Sequence, residues 1–136
     1  MVNYLKLYLT TLAAFFAIDM LWLGLVARSF YRKHLGYLLA SPPNWPAAMI
    51  FYLLFIVGIV VFVLMPGLKT GSLAFTLRSA VLFGLITYAT YDLTNLATIR
   101  DWPVLVTLVD LMWGIILSVL VSLVGFGVAR WLGWRF

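Results

Sequence analysis

Cysteine and glutamate are absent from this chain, and histidine occurs once, at His34. Without cysteine there is no disulfide framework and no thiolate metal centre. A single histidine excludes a multi-histidine centre within one chain, so no metal site is expected, and the sequence names no cofactor. Charge is scarce too: 10% of the residues are charged, against about a quarter in a soluble domain. What replaces charge is apolar, at 65% of 136 residues, a composition suited to lipid. The net charge of +5 then belongs to basic loops meeting anionic headgroups, not to nucleic acid.

A membrane-spanning helix needs about 20 apolar residues. Four stretches qualify, roughly 5–27, 46–66, 73–99 and 103–130. The expectation is therefore an all-α, polytopic membrane protein, a single transmembrane domain over 1–136. The first span is expected to be retained rather than cleaved as a signal peptide, because its apolar run is long and contains Asp19. In the first link, Phe30, Tyr31, Leu35, Leu38 and Leu39 fall near one helical face, with Arg28, Arg32 and Lys33 mostly off it. This pattern predicts a short interfacial helix, ended by Pro42, Pro43 and Pro46. The link "RDWP" is tight enough to make spans three and four an antiparallel hairpin. Trp102, Trp131 and Trp134 are expected as interfacial anchors.

Four spans put the N-terminus, the second link and the C-terminus on one side, with Lys6, Lys69, Arg78, Arg130 and Arg135. The other side holds Arg28, Arg32, Lys33 and Arg100. The balance of five against four leans toward cytoplasmic termini in a multi-pass protein of the bacterial inner membrane, and also permits dual insertion.

Three of the four acids, Asp19, Asp92 and Asp110, fall inside spans; Asp101 belongs to a link. Asp19 precedes Arg28 by nine residues, Asp92 precedes Arg100 by eight, and Asp110 follows Asp101 by nine. If those link residues mark the surface, each acid lies roughly 12–14 Å below it, which predicts a shared layer. Helical faces agree. Gly84, Tyr88, Tyr91, Asp92, Asn95 and Thr98 share an arc in span three, and Thr107, Asp110, Gly114, Ser118 and Ser122 form a small, polar stripe in span four. The offsets Asp19–Trp22 and Asp110–Trp113 put each indole near the face of its own carboxyl.

Two explanations compete for these acids. As packing glue, each hydrogen bond contributes about 0.6–2 kcal/mol, whereas an ionised Asp at a helix centre costs about 2.5–3.5 kcal/mol. Glue alone falls short, so the carboxyls are expected to be neutral, to reach water, or to enclose a cation. The candidate binding residues are Asp19, Asp92, Asp110, Asn95, Tyr88, Tyr91, Thr107, Trp22 and Trp113. Arg28, Arg32, Lys33 and Arg100 are candidates for headgroup contact, or a solvated, snorkelling edge.

The stretches "DMLWLG", "FYRKHLGYLL", "NWPAAMIFYLLF", "YATYDLTNLAT" and "TLVDLMWG" together resemble a family of small bacterial four-span membrane proteins known only as a domain of unknown function. The resemblance implies the same four-span architecture and carries no catalytic role onto any residue. Three functions fit the sequence. One is binding or transport of a proton, hard cation or small cationic molecule, with a homodimer needed for alternating access. Another is a membrane enzyme or accessory protein acting on lipids, with Asp92 or Asp110 as acid or base. The third is a subunit of a larger membrane complex. The lipid bilayer is the partner common to all three.

Overall fold

Link chemistry sets the helix ends. The Asn44 side chain accepts from the Ala47 amide at 3.2 Å, with a proline in the first turn, where a missing amide donor is harmless. Gly71, at φ 65°, ends the next helical stretch in the left-handed conformation, which glycine adopts without a Cβ penalty. Ser72 immediately caps the following helix by accepting from the Phe75 amide at 3.2 Å. Asp101, at φ 60°, turns the chain between the last two helices.

The computed structural model describes residues 2–136. Four helices are long and apolar enough to cross a membrane: α1 (Val2–Leu35), α2 (Trp45–Thr70), α3 (Leu73–Thr98) and α4 (Val104–Trp131). No strand occurs among the described residues. The all-helical, four-span expectation is met. The segment expected as an interfacial helix, Arg28–Leu35, is helical but continues α1 without a break through a wider, π-helical stretch at Leu23–Ala27. A second π-helical stretch, Ile59–Leu64, lies within α2.

Helix α4 is the hub and touches the other three. Its inward face is the small, polar stripe of the sequence: Thr107, Asp110, Gly114, Ser118 and Ser122 are all buried. The closest partner is α3. A Cβ at Gly84 would strike the Gly114 carbonyl oxygen, and one at Gly114 would strike the Tyr88 ring. Both glycines are therefore required by the backbone approach of α3 and α4. Below this crossing, Phe15, Phe55, Ile56, Ile59, Leu117 and Val121 form the main apolar core. Outward residues of α2, including Leu54, Val57 and Phe62, are exposed and suit contact with acyl chains.

A second cluster closes the end of the bundle near the 99–103 link. Leu35, Trp102 and Val106 are buried there, surrounded by Phe30, Tyr31, Leu96 and Ile99. Trp102 is thus not an interfacial anchor. Its indole N–H donates to Thr107 Oγ1 at 3.1 Å, which satisfies the polar atom and lets the ring bury. At the other end, Asn3 Nδ2 donates to the Arg135 carbonyl at 3.1 Å, and the Tyr4 and Phe136 rings lie 5.4 Å apart. The two ends of the described chain therefore lie together.

Candidate functional site

Helix α3 carries Asp92 on its buried side and α4 carries Asp110 on its inner stripe. The close glycine crossing brings the two carboxyls against each other. Their surroundings are unequal. Asp110 Oδ1 accepts from the Tyr31 hydroxyl. Asp92 is wholly buried, and neither of its carboxylate oxygens has a hydrogen-bond partner. Ionised carboxylates offer acceptors only, so a contact between two of them is favourable only with a proton or cation between.

Both acids line a cavity of about 310 Å³ with Phe51 from α2 and Thr87, Tyr88 and Tyr91 from α3. Three of these six residues are aromatic. Tyr88 lies within electrostatic reach of Asp19, Asp92 and Asp110, and its ring rests over Gly114.

The remaining candidate residues are distributed around this centre. Asp19 is buried but does not line the cavity; it accepts from Trp113 Nε1 at 3.3 Å. Arg28 does not end α1, which stays helical to Leu35. Sixteen residues, roughly 24 Å of helix, separate Asp19 from that end. The indoles also serve differently from the sequence expectation. Trp113 reaches across to the carboxyl of α1, and Trp22 stacks on it at 4.4 Å and 11°. Thr107 is committed to Trp102, and Asn95 sits beside Tyr91, outside the lining. Arg28, Arg32, Lys33 and Arg100 are exposed. The first three, with Gly24, Leu25 and Ser29, line a separate groove of about 530 Å³ that shares no residue with the carboxyl cavity.

Tyr31, Thr87 and Phe51 are site residues that the sequence pattern did not single out. Tyr31 falls in a link if Arg28 is taken as the end of the span. A signal was present: Leu7, Thr11, Phe15, Asp19, Leu23, Ala27, Tyr31 and Leu35 recur every four residues, and all are buried or half-buried.

Four apolar spans around buried polar side chains define an integral membrane protein of the all-helical, multi-pass class. The chain belongs to the family described as "Predicted membrane protein (DUF2177)", which matches residues 4–127. No curated protein and no solved structure matches it.

Proposed function

We propose that the protein is an intramembrane binding protein whose Asp92–Asp110 pair holds a cation, either a proton or the ammonium group of a small organic molecule. The observation that carries this reading is the Asp92 carboxyl, fully buried with both oxygens unpartnered. A buried carboxyl set against a second acid is costly unless a proton or cation lies between them, and in a membrane such a group marks a functional site by default. The aromatic wall of Phe51, Tyr88 and Tyr91 favours an organic cation, whose charge is attracted to ring faces. A hard metal ion instead takes six or so oxygen ligands. The setting proposed is the bacterial inner membrane with both termini cytoplasmic, supported by the basic residues Lys6, Lys69, Arg78, Arg130 and Arg135. For movement across the membrane, the proposed partner is a second copy of the chain.

Infrared difference spectroscopy in lipid nanodiscs tests the site directly. A carboxylic C=O band that changes with pH or with an added organic cation, and that is lost in both Asp92→Asn and Asp110→Asn, is the expected result. A spectrum indifferent to both substitutions, with no cation altering thermal stability, would remove the site.

A further inference from the structure

Resting on that cation-binding reading, the class of ligand follows from where the cavity is closed and where it is open. Toward the 99–103 link it is plugged. Leu35, Trp102 and Val106 pack there with Tyr31, and the Trp102 ring stands edge-on to Tyr91 at 5.9 Å. The Tyr37 hydroxyl ties the two links together by donating to the Asp101 carbonyl at 2.8 Å. A hydrated ion arriving from this face would have to cross an apolar plug, at a large desolvation cost. Toward the opposite face lies the main core, where the Phe55 and Phe83 rings meet at 5.3 Å.

The side between α2 and α3 differs. The Trp45–Gly58 half of α2 makes its backbone contacts with α1 rather than with α3, and only the Ile59–Thr70 half rejoins α3. The two cavity residues at this divergence are exposed, Phe51 to 51% and Tyr91 to 59%. Six helical residues separate Asp92 from the end of α3 at Thr98, roughly 9 Å of rise, which sets this side among acyl chains in a spanning helix.

We propose that the cavity receives a membrane-dissolved, single-chain amphiphile with a protonated amine head, entering sideways between Phe51 and Tyr91. The ammonium supplies the donor that the Asp92 oxygens lack and lies against Tyr88, where cation–π attraction adds to the charge pairing. The hydrocarbon chain stays among lipid along the outward faces of α2 and α3. A two-chain phospholipid is disfavoured, because its phosphate cannot shed its charge to cross hydrocarbon, whereas an amine can arrive neutral and take up at Asp92 the proton that the carboxyl pair holds.

Thermal unfolding in phosphatidylcholine nanodiscs, with dodecylamine, methylammonium and dodecanol as probes, examines charge and chain separately. Dodecylamine is expected to raise the midpoint saturably, at concentrations at least about tenfold below methylammonium, the effect of burying two methylene groups. Dodecanol should do nothing specific, and Asp92→Asn should abolish the dodecylamine shift. The chain has no cysteine of its own, so an Ala47→Cys/Thr94→Cys double variant, at exposed positions outside the cavity lining and about one helical turn from Phe51 and Tyr91, can be bridged across the entrance by a bifunctional thiol reagent. Its dodecylamine shift should vanish on bridging and be present before it. Methylammonium matching dodecylamine, or a shift that survives bridging, overturns sideways entrance. The cation site itself stands in that case, provided Asp92→Asn abolishes the shift. If none of the probes acts on the wild type, the amphiphile is overturned, and the infrared experiment then decides whether a proton site remains.

Discussion

Asp92 and Asp110 are the same residue type on adjacent helices, with unequal support. Tyr31 donates to Asp110, whereas Asp92 has no donor within the chain. This difference separates the two outcomes of substitution. Tyr31→Phe should lower stability by about 1–2 kcal/mol, because it leaves an acceptor in a buried pair without its donor. Asp92→Leu, branched alike though bulkier, has the cavity beside it to take the methyls and no desolvation penalty, so it should keep or raise stability while removing any response to cations, as replacement of buried charge by apolar groups often does. A fall of more than about 2 kcal/mol in Asp92→Leu would mean that Asp92 has a structural partner after all. Chemical denaturation in detergent measures both.

Among the elements, α1 shows what could and could not be read in advance. Its buried stripe repeats every four residues from Leu7 to Leu35. Four residues overshoot a regular α-helical turn by about 40°, so a regular helix would carry Tyr31 and Leu35 away from the bundle. The π-helical stretch at Leu23–Ala27 takes up more residues per turn and brings the stripe back. Arg28, Arg32 and Lys33 disguised this continuity, because charge in a hydropathy pattern reads as the end of a span. Helix identity, the inward face of α4 and the burial of all three acids were legible, since they depend on composition and local period. The choice of which indole serves which carboxyl was not, because it depends on helix neighbours. Glycines divide similarly. Gly84 meets the Gly114 backbone, so Gly84→Ala should cost about 1–3 kcal/mol through overpacking. A Cβ at Gly127 would meet nothing within 4 Å, so Gly127→Ala should be neutral or gain up to about 1 kcal/mol from helix propensity. Parallel unfolding curves of the two variants check the contrast.

For the molecule as a whole, the start of α1 and the C-terminal segment meet through Asn3 and Arg135, and the turn at Gly71 approaches Arg130. Single cysteines at Ser41 and Thr70 should therefore react on opposite membrane faces with an impermeant thiol reagent, Thr70→Cys sharing its side with a cysteine placed near Phe136. Equal labelling of all three from one face would defeat the four-span arrangement, while labelling of every site from both faces would reveal dual insertion. The tight reversal between α3 and α4 has a further consequence, for biosynthesis. Helix α3 is the least apolar of the four spans and carries Asp92. Its carboxyl meets Asp110 only after α4 has been made, and only five residues, 99–103, separate the two helices. During synthesis α3 is thus expected to wait at the membrane insertion machinery and to enter the lipid together with α4, as one hairpin.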